Sequence, residues 1–357
     1  MAILPLYGHD DLRARLLQRI RARTLPQSLL LHGPAGVGKQ RLALWMAQAL
    51  LCASDKQPCG ACRECRYVLD LTHPDLAWLF PQPRPKDSEP DPDDVANDLG
   101  EARVKRAASN GLYAAPSGSE GIFVATVRYL VRQASMTPAL AARKVFVVGD
   151  ADRMAPQEGA EYAAYAFLKL LEEPPADTWI IVTTSALGAI LPTIRSRVVT
   201  VRVPRVDDHA MRAFLADPAV ATALKALDLP PSEPERLRQA QGAPGALLST
   251  AVRREAVEEA QRFLEVATGD NRADLLKVAF SQGQSGARGA FSDILDALTL
   301  ALYDRMKTGT ERRDDAQASS ASRAIDLVED AKHLADGNVN PQLIAAQLLG
   351  DLSALLA

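Results

Sequence analysis

Short apolar runs alternate with segments whose apolar residues recur at helical spacing in the first part of the chain. The runs are rich in Leu, Ile and Val, which predicts buried strands. They lie at 28–33, 144–150, 179–184 and 197–203. The helical segments lie at 41–51, 122–136 and 162–175. Buried strands that alternate with helices predict an α/β fold with a parallel sheet covered on both faces.

The pattern becomes helical after Pro204. Short helical segments broken by proline and glycine are predicted at 206–250, and longer ones at 252–357 with a polar break at 308–320. The last segment, 341–356, is apolar enough to be buried, either within its own bundle or against a partner chain. We therefore predict three domains. They are an α/β domain at 1–203, a small helical lid at 204–250 and a helical domain at 251–357.

The stretch from 81 to 120 differs from its surroundings. It is rich in proline, acidic residues and turn formers, and it has little apolar material to offset the entropy of ordering. It is predicted to be a flexible surface insertion. Just before it, residues 67–80 end in an apolar run that predicts a further strand, and His73 is predicted to be a loop residue rather than a metal ligand.

A phosphate-binding loop is indicated by the sequence GPAGVGKQ after the first strand and before a helix. The working pattern is G-x-x-x-x-G-K-[ST], whose backbone N–H groups and lysine hold phosphates while the last hydroxyl holds Mg²⁺. Gly33, Gly36, Gly38 and Lys39 supply the phosphate-binding part. Gln40 replaces the hydroxyl residue, and an amide is a poor ligand in the tight octahedral shell of Mg²⁺.

A second catalytic element is also incomplete. The run KVFVVGDAD ends in Asp150, which fits the carboxylate that orients Mg²⁺ at a strand end. Multi-subunit ATPases of this type place a glutamate next, to polarise the attacking water. Ala151 has no base to offer, and Asp152 is predicted to point elsewhere. ATP binding is therefore compatible with the sequence, whereas hydrolysis is not expected.

Composition and charge narrow the choice of class. The 357 residues are 47% hydrophobic and 24% charged, with a net charge of −3, which is ordinary for a globular protein and argues against a strongly basic, self-sufficient nucleic-acid binder. No uncharged stretch approaches the roughly twenty residues of a membrane span. The first residues carry early charges, so no signal peptide is predicted. We expect a cytoplasmic protein without a membrane partner.

All four cysteines are crowded together, at Cys52, Cys59, Cys62 and Cys65. In a reducing compartment such crowding indicates a metal site rather than disulfides. Four thiolates suit tetrahedral Zn²⁺ in a structural role. An iron–sulfur cluster is the alternative, but its bacterial motif continues to a further cysteine followed by proline, and no cysteine follows Cys65.

Together these motifs resemble a known family over nearly the whole chain. The chain is similar to the delta-prime family of bacterial DNA polymerase III clamp-loader subunits, within the AAA+ superfamily. The similarity lies in GPAGVGKQ, in the cysteine cluster just after the helix that follows this loop, in AFLKLLEEPPADTWIIVTT and in IRSR. The resemblance implies a P-loop AAA+ domain with an inserted zinc module at 52–65, a helical lid and a helical collar. The spacing from Cys52 to Cys59 is shorter than the family pattern, and the 81–120 insertion departs from it.

The resemblance also implies partners and a role. Such a subunit joins delta and three tau/gamma subunits in a ring that opens the sliding β clamp and places it on primed DNA, as part of the polymerase holoenzyme. Delta-prime is a rigid stator in that ring. Ser196 and Arg197 match the first two residues of the family's S-R-C motif, and Val198 stands in place of its cysteine. Arg197 is thereby implied to reach the ATP of an adjacent tau/gamma subunit in trans.

Two other functions stay open from the sequence. An active AAA+ ATPase motor would need another Mg²⁺ ligand and another base. A zinc-stabilised DNA-binding adaptor without ring partners would show steeply salt-dependent binding. The stator is favoured because a third motif is altered: Gly245 in GAPG stands where AAA+ motors carry a nucleotide-sensing arginine.

Overall fold

The structure is a computed structural model of the chain. It describes residues 3–83, 85, 90–114, 116, 120–154, 161–225, 227, 229–248, 250–269, 271–282, 288–336 and 339–356. The chain divides into two compact units. The first comprises Met1–Ala115 and Gly121–Ser249, and the second comprises Pro116–Glu120 and Thr250–Ala357. The predicted boundaries at 203 and 250 are retained here as a proposal.

A single parallel sheet of five strands forms the centre of the first unit. The strands are β1 (Ser28–His32), β2 (Leu76–Leu79), β3 (Lys144–Val148), β4 (Thr178–Thr184) and β5 (Val199–Arg202). Their order is β2-β3-β4-β1-β5, and every pairing is parallel. All the predicted strands are confirmed, including the one expected near the end of 67–80. This is the parallel sheet of the α/β domain that the sequence predicts.

Helices cover both faces of this sheet. The helices of the first unit are α1 (Asp10–Arg21), α2 (Lys39–Leu51), α3 (Arg63–Leu69), α4 (Pro92–Ala108), α5 (Val124–Ala134), α6 (Glu161–Glu172), α7 (Pro192–Arg195), α8 (Asp208–Ala216), α9 (Pro218–Lys225) and α10 (Glu233–Ala240). Leu29 and Leu31 of β1 pack with α1 and α2, whereas Leu30 packs with α5 and α6 on the other face. The period of two along the strand separates the two cores.

The helices α8 to α10 form a small separate core around Met211, Phe214 and Val220. The N-terminal segment joins this core, because the Tyr7 ring packs edge-on against Phe214 with centroids 5.7 Å apart. The Tyr7 hydroxyl donates to the Asp217 carboxylate at 2.5 Å. These helices lie within the range 204–250 predicted as a small helical lid.

The second unit consists of helices in the described part of the chain. They are α11 (Thr250–Ala267), α12 (Arg272–Ser281), α13 (Arg288–Arg312), α14 (Asp315–Asp336) and α15 (Pro341–Leu356). Ile344, Leu348 and Leu352 of α15 are buried in the core that these helices share. Of the two alternatives for 341–356, packing within its own bundle therefore accounts for its apolar face.

The prediction of a flexible insertion at 81–120 is wrong for much of its described part. Residues Pro92–Ala108 form α4, whose Val95 and Leu99 are buried in the core beside α5. The Asp91 side chain caps the helix by accepting the Asp93 backbone N–H at 2.9 Å. An Asp N-cap followed by Pro is a helix-start signal. The apolar pattern of this helix is weak because only Val95 and Leu99 mark its buried face.

The predicted polar break at 308–320 is confirmed in place but is much shorter than expected. Helix α13 continues to Arg312 and α14 begins at Asp315. The connection is tight because Asp314 caps the second helix, accepting the Gln317 backbone N–H at 3.0 Å. The polar residues remain helical because an exposed helical face needs no apolar side chains.

Candidate functional site

The phosphate-binding loop lies between β1 and α2 as predicted. Gly38 adopts a left-handed φ of 96° at the start of α2, a conformation that glycine permits without strain. The Lys39 ammonium bends back into the loop and donates to the carbonyl oxygens of Gly33 at 3.0 Å and Pro34 at 2.8 Å, and to Ser185 Oγ at 3.0 Å. Protein oxygens thus hold the cation that a phosphate would otherwise engage.

Burial lowers the pKa of Lys39, and the carboxylates of Asp150 and Asp152 partly oppose this shift. The lysine side chain is only 5% exposed. A phosphate ligand would therefore have to displace three internal acceptors to reach this ammonium group.

Gln40 fills the place of the magnesium ligand with a different interaction. Its Nε2 donates to Asp150 Oδ2 at 2.7 Å, and its Oε1 accepts from Trp78 Nε1 at 2.9 Å. The side chain fits closely, since a Cβ atom built at Gly149 would collide with the Gln40 amide. The amide bridges the start of α2 and the end of β3, which are the two positions that hold Mg²⁺ in a working site.

Asp150 is correspondingly unlike an exposed carboxylate. Burial raises its pKa, and the neighbouring Asp152 carboxylate raises it further. Asp152 itself accepts from Thr184 Oγ1 at 2.6 Å and from the Ser185 backbone N–H at 3.2 Å. It is therefore directed at the end of β4, and Ala151 leaves the position of the water-activating base without a carboxylate.

The insertion helix contributes to the same region. The Arg106 guanidinium of α4 lies 3.4 Å from the ring centroid of Phe80, 3.8 Å from that of Tyr113 and 4.6 Å from that of Trp78. These are cation–π distances. Sequence reasoning missed Trp78 and Arg106. The apolar run of β2 indicated burial of Trp78, but no sequence signal linked Arg106 to this site.

The lid touches the tip of the phosphate loop. The Gly245 N–H donates to the Gly36 carbonyl at 2.9 Å. A Cβ atom at Gly245 would lie 2.9 Å from Gly36 Cα, too close for any side chain. Glycine at this position, where motors carry an arginine, is therefore required by the packing of the turn Pro244–Ala246 on the loop.

Arg197 lies just before the edge strand β5, which pairs with β1 on the side away from β4 and β3. Its Nε is 3.1 Å from Glu172 Oε2, and its Nη2 donates to Glu172 Oε1 at 3.4 Å. Its Nη1 donates to the Thr193 carbonyl at 3.0 Å and to Ser196 Oγ at 3.3 Å. The structure thus places Arg197 apart from the Lys39–Asp150 site, held at the surface by its own chain.

The cysteine cluster assembles as a compact set of thiols. One sulfur from each of Cys52, Cys59, Cys62 and Cys65 lies within 4.8 Å of the others. The Cys52–Cys62 and Cys59–Cys65 sulfur pairs are each 3.9 Å apart. Four ligands about 2.3 Å from a tetrahedral Zn²⁺ are separated by nearly this distance. The donor set fits a single structural zinc better than a multi-iron cluster, in which thiolates bind different irons.

The backbone prepares these thiols for metal binding. Cys59 Sγ accepts the Cys62 backbone N–H at 3.3 Å, and Cys62 Sγ accepts that of Cys65 at 3.4 Å. The backbone N–H groups of Cys62 and Ala61 lower the pKa of Cys59 to about 6, which favours the thiolate form that metals require. Burial raises the pKa of Cys52 and of Cys65, so these two thiols depend on a bound cation to lose their protons. His73 is separate from the cluster, since its Nδ1 accepts the Asp75 backbone N–H at 3.0 Å.

Comparison with known families shows a match to the model described as "DNA polymerase III, delta subunit" over residues 8–207. That range is more than half of the 357 residues. The chain belongs to this family. Among curated relatives, it is 31% identical to DNA polymerase III subunit delta' of Pseudomonas aeruginosa over 189 residues, which is 52% of this chain and 46% of the relative. It is 26% identical to the Bacillus subtilis delta' subunit over 207 residues, which is 58% of this chain and 50% of the relative.

The match to the delta-prime family covers the phosphate loop, the cysteine cluster and Arg197. A gamma/tau subunit of Mycobacterium bovis is 29% identical over 211 residues, 58% of this chain and 30% of the relative. A solved gamma subunit-related protein from Thermotoga maritima is 18% identical, with a TM-score of 0.43. The match covers 96% of this chain and 99% of that protein. The chain spans about half the length of the curated delta' relatives it matches.

No helix in the described residues of this delta-prime family member combines the length and the apolar character that crossing a membrane requires.

Gln40→Leu should lower the free energy of unfolding of this delta-prime chain by about 2–4 kcal/mol. The change leaves the Trp78 N–H and the Asp150 carboxylate without their amide partner, and each buried unsatisfied group costs about 1–3 kcal/mol. Urea denaturation followed by circular dichroism measures the difference. Gln48→Leu is the matched control, because Gln48 is also buried on α2. Equal losses in both variants would contradict the bridging role of Gln40.

Proposed function

We propose that this chain is the stator subunit of a clamp loader, which helps to place the sliding β clamp on primed DNA without hydrolysing ATP. Membership of the DNA polymerase III delta-prime family supports the assembly, with delta and tau/gamma subunits as partners. The observation that carries the proposal is the Gln40–Asp150 hydrogen bond of 2.7 Å at the magnesium position.

The chemistry behind this proposal is ligand geometry. Mg²⁺ takes oxygen ligands at about 2.0–2.1 Å in octahedral order. Here the amide nitrogen of Gln40 already holds the Asp150 oxygen, so the metal would lose both its hydroxyl ligand and its free carboxylate. The missing base at Ala151 removes water activation as well. Gly33, Gly36, Gly38 and Lys39 keep the phosphate-binding pattern, and nucleotide binding without turnover would require Lys39 to leave its three internal acceptors.

The proposal includes two further sites. Zinc held by the four cysteines would stabilise the segment between α2 and α3 and has no open position for a substrate. Arg197 would act in trans as an arginine finger on the ATP of a neighbouring tau/gamma subunit. A guanidinium supports this role because it stays charged and binds phosphate oxygens through its fork of N–H donors.

Reconstitution tests the function directly. We expect this protein, mixed with the tau/gamma and delta subunits, the β clamp and primed DNA of its own species, to form a stoichiometric complex that loads the clamp with ATP. Omission of this chain should abolish loading. The purified chain alone should show no ATPase activity above a blank. Rapid hydrolysis by the purified chain would favour the motor alternative. Tight, salt-dependent DNA binding without any complex would favour the adaptor.

Lys39→Ala in this chain should leave clamp loading by the assembled complex within about twofold of wild type. The physical reason is that Lys39 is satisfied by internal oxygens and no turnover is expected at this site. The matched control is the equivalent P-loop lysine of the tau/gamma subunits, whose loss removes phosphate charge neutralisation at a working site. A large loss of loading from Lys39→Ala, in a chain that still folds and assembles, would indicate an active nucleotide site.

A further inference from the structure

We propose that Glu172 is a positioning residue for Arg197, holding the guanidinium from its own chain so that its remaining N–H donor is presented to a phosphate of the neighbouring subunit. This inference rests on the proposed function of Arg197. It adds a residue from the segment LKLLEEPP, at the end of α6, for which neither the sequence nor the family match gave a role.

The first step is the shape of the contact. Glu172 approaches the side edge of the guanidinium, with Oε2 3.1 Å from Nε and Oε1 3.4 Å from Nη2. The Nε contact is an ion pair rather than a well-aligned hydrogen bond. Two oxygens of one carboxylate thus face two nitrogens of one edge, which fixes the plane of the guanidinium as well as its position.

The second step is the donor count. A guanidinium has five N–H groups. Glu172 faces two of them, and the Thr193 carbonyl receives one from Nη1 at 3.0 Å. Nη1 also donates to Ser196 Oγ at 3.3 Å. Among the described residues, this leaves the second N–H of Nη2 without an acceptor, and this donor is the one that the proposal directs to a phosphate oxygen.

The third step is the energetics. The Arg197 side chain is 30% exposed and that of Glu172 is 56% exposed, so the pair adds little to folding stability. The pair acts by holding the Arg197 side chain in one conformation. A free arginine side chain loses rotamer entropy when it is ordered, and a side chain that is already held loses less when it meets the transition state. Glu172 would therefore act on the rate of hydrolysis rather than on the stability of the chain.

Neighbouring residues provide matched controls. Glu173 is the adjacent carboxylate and is exposed, and no contact with Arg197 is found for it in the described structure. Arg195 is exposed at the end of α7, two residues before Arg197. Any effect of general surface charge should appear in Glu173→Gln and Arg195→Ala as well as in Glu172→Gln.

The test uses the complete reconstituted loader and measures its ATPase activity with clamp and primed DNA. We expect Glu172→Gln to lower kcat at the ATP site facing this chain by about threefold to tenfold, the range for ordering one long side chain, with KM for ATP unchanged within twofold. Glu172→Asp should fall between Glu172→Gln and wild type. Glu173→Gln should match wild type. The double variant Glu172→Gln with Arg197→Ala should be no slower than Arg197→Ala alone.

The outcomes separate the two ideas. If Arg197→Ala leaves turnover unchanged, the proposed function of Arg197 fails. If Arg197→Ala slows turnover but Glu172→Gln does not, or if the two losses multiply in the double variant, only the inference about Glu172 fails. Thermal unfolding and gel filtration of each variant show whether the complex forms. Should Glu172→Gln not assemble, Glu172→Asp decides, and wild-type kcat in that variant would overturn the inference.

Discussion

Arg197→Ala in this chain should lower the rate of ATP hydrolysis at the adjacent tau/gamma site by about 10³-fold or more, the scale on which arginine fingers act. In the proposed role the guanidinium would neutralise charge that builds on the γ-phosphate in the transition state, and no water molecule replaces a fixed positive charge there. Single-turnover phosphate release by the reconstituted loader measures this site. Total turnover should fall by the share that the site contributes.

Assembly should be unaffected by the same change. Arg197 is bonded to its own chain through Glu172 and Thr193, and the exposed pair contributes little to folding. The matched control is Arg195→Ala, which removes an exposed arginine two positions away and should leave hydrolysis unchanged. Equal rates for Arg197→Ala and wild type, in complexes of equal composition, would remove the arginine-finger role from this chain.

Removal of zinc should have the largest effect on stability. The purified chain is expected to hold one zinc per molecule, and a strong chelator should lower its thermal midpoint by about 10 °C or more. Structural zinc in small modules contributes about 10–16 kcal/mol to folding of the peptide, and about 1 kcal/mol shifts the midpoint of a domain of this size by about 2–4 °C. Elemental analysis and calorimetry measure the two quantities.

Substitution of a ligand should reproduce the effect of the chelator. Cys65→Ser removes a buried thiol of the cluster and should abolish stoichiometric zinc. The matched control is His73→Gln, which should keep the zinc, because His73 bonds the Asp75 backbone rather than the cluster. If the purified chain shows visible charge-transfer absorption and contains bound iron, the cysteines hold an iron–sulfur cluster and not zinc. Full zinc content in Cys65→Ser would overturn the four-cysteine ligand set.

The parallel sheet followed from local sequence, because each buried strand is a short apolar run. The order of the strands did not, because it depends on which distant segments pair with each other. The loop between β1 and α2 also followed from sequence, since its glycines and Lys39 together form the pattern of a phosphate-binding loop. The insertion at 81–120 did not follow. The face of α4 is marked only by Val95 and Leu99, and its Arg106 is ordered by aromatic rings that come from β2 and from Tyr113. Such contacts join distant segments and leave no local pattern.

The sequence by itself determined that the phosphate loop lacks its magnesium hydroxyl, that four thiols lie within one short segment, and that Arg197 follows the strand–helix pattern of a clamp-loader subunit. Only the tertiary structure decided what Gln40 does instead. Its amide joins Asp150 and Trp78, residues that are far apart in the chain and meet because β2 and β3 are adjacent strands. Likewise, Glu172 and Arg197 are separated by a strand and meet only where α6 and α7 pack together. Residue type fixes the available chemistry, but packing decides which partner completes it.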